Sequence, residues 1–173
     1  MKYVLATLIA WFIAAVNVSA LPYLKVLGVT PDFVLILAAC WAVLRPQDEA
    51  MIVVPIAGLL HDLMYGDPLG TSVLAFAPLV ILAAVVHIRA VETQFIPSLI
   101  VTAAGTLTYG AARMSVLAVT GQEVQWLNAA LHLIIPLTVV NVLFMPLAYI
   151  PLSWFSAAQR QGMMGRGRIT SPL

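Results

Sequence analysis

LGTSVLAFAPLVILAAVVHI, residues 69–88, runs for 20 residues without an Asp, Glu, Lys or Arg. At 1.5 Å of rise per residue, a helix of that length covers about 30 Å. That is also roughly the thickness of a bilayer's hydrocarbon core. The apolar residues are continuous rather than alternating, so the stretch reads as a helix in lipid and not as a barrel strand. Pro78 sits inside it, and neighbouring helices can satisfy the carbonyl that a proline leaves free.

Outward from this stretch the pattern repeats. Runs at 3–21, 95–119 and 124–150 are also long enough to cross, and shorter runs occupy 30–44 and 46–65. Six transmembrane helices are therefore expected, forming one all-α polytopic domain over 1–155. A basic tail over 156–173 carries Arg160, Arg166 and Arg168 among glycines, and is expected to be cytoplasmic and disordered. Charged residues are 9% of the chain, against roughly a quarter in an ordinary soluble domain, which leaves no room for a soluble catalytic unit. A net charge of +1 without a long basic run argues against nucleic acid. The single cysteine, Cys40, excludes an internal disulfide. Lys2, an apolar run and Val18-Ser19-Ala20 also resemble a signal peptide. The run is longer than most signal cores, however, and the later helices need packing partners, so it is read as a span.

Helix ends are marked by caps. Thr30, Pro31 and Asp32 predict the start of the second helix, with a hydroxyl cap and then a proline and an acid in the first turn. Pro46, Asp48 and Glu49 open the third, Gly66 closes it, and Asp67-Pro68 is read as capping and opening the fourth. With six spans, Lys2, Arg45, Arg89, Arg160, Arg166 and Arg168 share one side, and only Lys25 and Arg113 lie on the other. The positive-inside rule then places both termini in the cytoplasm.

Asp62 is the least expected residue. It lies one turn before the end of the third helix, where the helix dipole disfavours an anion, so it needs a donor. Amides near Gly66, the hydroxyls of Thr71 and Ser72, or Arg113 are the candidates. The preferred reading is a structural clasp across the turn Gly66-Asp67-Pro68-Leu69-Gly70; a functional site is the alternative. His61, His132 and Asn128 share this side, but without zinc-ligand spacing they read as interfacial or interhelical polar groups, with no metal and no cofactor. His87 reads as interfacial, and Asn141 as an interhelical hydrogen bonder. Small residues recur at helical spacing as Ala6, Ala10 and Ala14, and as Thr102, Thr106 and Gly110 beside Gly105. Such stripes serve internal packing or the docking of another membrane helix. No serine sits in a nucleophile-elbow setting, and Asp62 and Asp67 belong to one turn rather than to facing helices. Enzymatic activity is not expected.

Two segments carry a family resemblance. Pro31-Asp32-Phe33-Val34-Leu35-Ile36-Leu37 and the run from Gly58 through Asp62, Gly66 and Pro68 to Gly70 resemble the best-marked stretches of MreD, the bacterial rod shape-determining membrane protein. Tyr65 and Asp67 depart from the small or hydroxylic residues more usual there. The resemblance implies a non-enzymatic inner-membrane subunit of the cell-elongation and peptidoglycan-synthesis machinery. It would be a scaffold binding an MreC-like single-span protein, and through it an MreB-like cytoskeleton, a RodA-like glycosyltransferase and a penicillin-binding transpeptidase. It also implies a fold similar to the substrate-binding S components of energy-coupling-factor vitamin transporters. Such an S component is the alternative function, with Ala6, Ala10 and Ala14 docking the transporter's scaffold. The discriminator is a pocket with convergent polar groups. Lys25, Asp62, Arg113, Gln122, Glu123 and Gln125 look too sparse for one.

Overall fold

The computed structural model describes residues 25–88 and 93–167. Lys2, Ala6, Ala10, Ala14, Asn17, Arg89 and Arg168 lie outside the described residues. A tight turn comes first, in which Val26 and Val29 exchange backbone hydrogen bonds of 2.9 and 3.1 Å. Helices α1 (Phe33–Leu44), α2 (Gln47–Tyr65), α3 (Thr71–Ile88) and α4 (Phe95–Val119) follow. A short α5 (Trp126–Ala129) then runs through a π-helical turn (Ala130–Ile134) into α6 (Ile135–Gly167). Among the described residues there is no strand beyond the isolated Val26–Val29 bridge. The stretches Phe95–Val119 and Trp126–Trp154 are long and apolar enough to cross a membrane, and Phe33–Leu44 and Thr71–His87 are shorter apolar helices.

The shortest of the main helices is the central one. At 12 residues, α1 extends only about 18 Å, yet it packs against α2, α3, α4 and α6. Its sequence is apolar all round, which suits a helix surrounded by protein. Leu35, Ile36, Ala39, Cys40, Ala42 and Val43 are wholly buried. Small side chains at Ala38, Ala39 and Ala42 let the neighbours come close. One core cluster joins this face to Val54, Phe76, Leu79 and Tyr109, and a second joins Ile36, Cys40 and Leu44 to Met145 and Ala148 of α6.

The far end of α1 finds partners for carbonyls that its own helix leaves open. His87 Nε2 donates to the Ala42 carbonyl at 3.3 Å and Ser156 Oγ to that of Leu44 at 3.1 Å. His87 is thus tied to α1 rather than simply interfacial. Arg45 is buried there, paired with Glu49 at 2.7 Å and lying 5.4 Å from the Trp41 ring.

Three glycine contacts set helix spacing. A Cβ on Gly58 would lie 2.9 Å from backbone atoms of Val73, so α2 and α3 touch there through main chain. Thr102, Gly105, Thr106 and Gly110 are all buried in α4. Gly105 faces Leu79 of α3, and Gly110 faces Ile134 of the π turn. This stripe therefore works inside the bundle and not as an external docking face. The π turn has a local cause. Pro136 has no N–H to give the His132 carbonyl, and a five-residue hydrogen bond from the Ile135 N–H to the Ala130 carbonyl takes up the break. Beyond Pro146 and Pro151 the α6 backbone remains helical to Gly167, into the segment expected to be a tail.

Candidate functional site

Helix α2 ends at Tyr65, and Gly66 takes a left-handed conformation with φ 68°. Gly70 is left-handed as well, at φ 98°, so a residue with a Cβ would be strained at either position. Between them the chain reverses and α3 begins at Thr71. Asp62 reaches across this reversal. Its carboxylate accepts from the Gly70 N–H at 2.7 Å and from the Ser72 N–H at 2.9 Å. Those donors have no partner within α3, and the positive end of the α3 dipole favours the anion that the negative end of α2 disfavours. Asp62 is wholly buried.

Capping of α3 therefore falls to Asp62, and the expectation that Asp67 caps it is corrected. Asp67 instead accepts from Tyr109 Oη at 3.1 Å and lies 3.4 Å from Arg113 Nε. Arg113 pairs with Asp67 rather than with Asp62. The start of α1 is corrected too. Asp32, not Thr30, is the N-cap, accepting from the Leu35 N–H at 3.1 Å, and the helix begins at Phe33. The chain before it must stay extended for that hydrogen bond to form. Pro31 is buried beside it.

His61 is neither interfacial nor exposed; it is wholly buried. Its Nε2 lies 2.8 Å from Asp32 Oδ2 and its Nδ1 2.9 Å from Ser72 Oγ. A carboxylate can only accept, so Nε2 carries the hydrogen; in the neutral ring Nδ1 accepts from Ser72. Tyr65 stacks on the imidazole at 4.4 Å, and Tyr109 meets it edge-on at 4.9 Å. The network continues through Asn141, whose Oδ1 accepts from the Asp32 N–H at 2.8 Å and whose Nδ2 donates to Thr106 Oγ1 at 3.1 Å. Thr106 in turn donates to the Thr102 carbonyl. One chain of hydrogen bonds thus joins α1, α2, α3, α4 and α6. Asp32, His61 and Ser72 come together in the order of a hydrolase triad, but Ser72 is wholly buried, so no substrate reaches its hydroxyl in this arrangement.

The residues drawn together here, Pro31, Asp32, Gly58, Asp62, Gly66 and Gly70, are those of the two marked sequence segments. The family model described as rod shape-determining protein MreD matches residues 1–156 of the chain. The chain belongs to the MreD family. No curated protein and no solved structure matches it. Membership makes this MreD-family protein one of the bacterial membrane proteins that determine rod shape.

Ligand atoms of His61, Asp62 and Asp67 fall within 4.8 Å of one another. Both nitrogens of His61 are already engaged, with Asp32 and with Ser72, so a cation taking His61 as a ligand would have to break one of those bonds. Asn128 and His132, expected to bridge helices, are exposed, and His132 Nδ1 bonds the Asn128 carbonyl of its own turn. Both line an open cleft of about 770 Å³ between the 25–32 turn, α4 and the 122–137 segment. Lys25, Arg113, Gln122, Glu123 and Gln125, thinly spread in sequence, line its walls together with Asp32, Tyr65 and Tyr109. Of the six polar residues weighed in the sequence, Asp62 does not line this cleft and the other five do. Tyr109 had not been singled out by the sequence reading, and Ser72 was named there as a hydroxyl donor to Asp62, whereas its backbone N–H meets Asp62 and its hydroxyl meets His61. Tyr109 stands four residues before Arg113, a spacing that places both on one helix face.

Proposed function

We propose that this chain is a non-enzymatic scaffold of the rod-shape machinery that binds an MreC-like single-span protein. Through that partner it would connect with an MreB-like cytoskeleton, a RodA-like glycosyltransferase and a penicillin-binding transpeptidase. The observation that carries this reading is the family match over residues 1–156. The packing supports it. Asp32, His61, Ser72, Thr106 and Asn141 are spent on one another across five helices, while Leu63, Leu74, Ile81, Leu107, Leu143 and Leu147 are left on the outside, available to lipid or to a partner helix. On this reading the protein lies in the bacterial inner membrane with six spans and both termini in the cytoplasm. The turn of Asp62, Gly66, Pro68 and Gly70 is a rigid feature at the outer face. Purification in detergent with crosslinking tests it: recovery of an MreC-like protein is expected, and a reproducible absence of any single-span partner rejects it.

The cleft favours a second reading, an S component resembling those of energy-coupling-factor transporters, with Ala6, Ala10 and Ala14 as the docking stripe. Its volume lies within the range of small-molecule sites. Mass spectrometry of the purified protein separates the two, since an S component should retain a vitamin.

A further inference from the structure

The cleft has a charge pattern and a depth that narrow what it can hold. Alternation of the helices places the 25–32, 65–71 and 119–126 segments at one end of the bundle and Arg45 at the other. Lys25 and Arg113 are the Lys and Arg residues of that end among the described residues, and both line the same cleft. The acids on or near its walls are largely occupied. Asp32 holds His61 and the Leu35 N–H, and Asp67 holds Tyr109. Glu123 lies on the exposed turn at the rim. Arg113 Nε lies 3.4 Å from Asp67, and the arginine side chain is 43% exposed. A guanidinium in that position retains donors for an incoming anion.

Beside Lys25, Arg113 and Glu123 the walls also carry apolar side chains. Along α4 the lining runs inward from Leu117 through Met114 and Arg113 to Gly110 and Tyr109, and along the facing segment from Gln125 through His132 and Leu133 to Leu137. Ten or so residues along each helix amount to about 15 Å, half the depth of a hydrocarbon core. The flanking helices are the two apolar enough to cross a membrane. The π turn, which carries His132, Leu133 and Ile134 into the lining, locally widens α6 beside the cleft; such bulges recur at binding sites.

We infer that this cleft binds an anionic amphiphile of the bilayer, its phosphate or carboxylate headgroup against Lys25 and Arg113 and its chain along Leu133 and Leu137. The inference rests on the cleft alone and not on the scaffold reading, because a single-span partner can be recovered whether or not lipid is held. Native mass spectrometry of the full chain in detergent, titrated with dioleoylphosphatidylglycerol, with dioleoylphosphatidylcholine and with inorganic phosphate, tests it. Phosphatidylglycerol is expected to bind at least tenfold more tightly than either of the others, and Lys25→Gln or Arg113→Gln to remove most of that preference. Lys25 lies on an exposed turn, so its variant stays informative if the Arg113 variant folds poorly. Equal retention of the two lipids, unchanged retention by the Lys25 variant, inorganic phosphate bound as tightly as the lipid, or a copurified vitamin filling the cleft would each overturn it.

Discussion

At the scale of single residues, Asp62 shows how a carboxylate can stand near the end of an apolar helix. Its two bonds to backbone N–H groups are charge-assisted, each worth about 1.5–3 kcal/mol. Asp62→Ala should lower the free energy of unfolding in mixed micelles by about 3 kcal/mol, with Asp62→Asn intermediate because it keeps one acceptor. A loss below about 1 kcal/mol for alanine would show that the clasp is dispensable. Asp32 and His61 form the second pair. Asp32→Asn and His61→Gln, made singly and together, should show a coupling of about 1–3 kcal/mol in a double-mutant cycle; additive effects would mean that the 2.8 Å contact contributes little. Asp62 was legible in sequence as a residue in need of a donor, since the dipole argument requires only position along one helix. Which donor it finds was not legible. Gly70 and Ser72 are no better donors in sequence than Thr71 or Arg113, and only the left-handed backbone at Gly70 aims the amides at the carboxylate.

At the scale of elements, approach distances decide the packing. Gly58 lets α2 and α3 touch main chain to main chain, so Gly58→Val should destabilise by about 2 kcal/mol or more through overpacking. Leu63→Ala, at a position 61% exposed, should stay within about 0.5 kcal/mol. Comparable effects for the two substitutions in thermal unfolding would contradict the close crossing. Helix limits were mostly readable. Gly66 ends α2 and Phe95–Val119 matches the expected run, because caps and apolar length are local properties. The start of α1 moved to Phe33 because a cap depends on where the side chain bonds, and Asp32 bonds the Leu35 N–H. The break in the last helix was visible only as Pro136; that it takes the form of a π turn, with Ile134 against Gly110, was seen only in the structure.

At the scale of the whole molecule, the proposed orientation makes a separate prediction. The native Cys40 is buried and should stay silent to thiol reagents. Gln122→Cys and Asp48→Cys then report opposite ends of the bundle, both at exposed positions. A membrane-impermeant maleimide added to intact cells should label the first and spare the second until the membrane is opened. The reverse pattern would invert the topology, and labelling of both would reject a bundle crossing the bilayer.

The sequence by itself determined that this chain is a set of apolar helices with few charges, where most of them begin and end, and that it resembles the MreD family. Those properties follow from local composition and from the length of a helix needed to cross hydrocarbon. Only the tertiary structure decided that the shortest main helix stands at the centre, that Asp32, His61, Ser72 and Asn141 join five helices, and that scattered polar residues meet in one cleft. Each of these depends on which helix faces overlap, and residues as far apart as Asp32 and Asn141 become neighbours only when the packing of all the helices is settled at once.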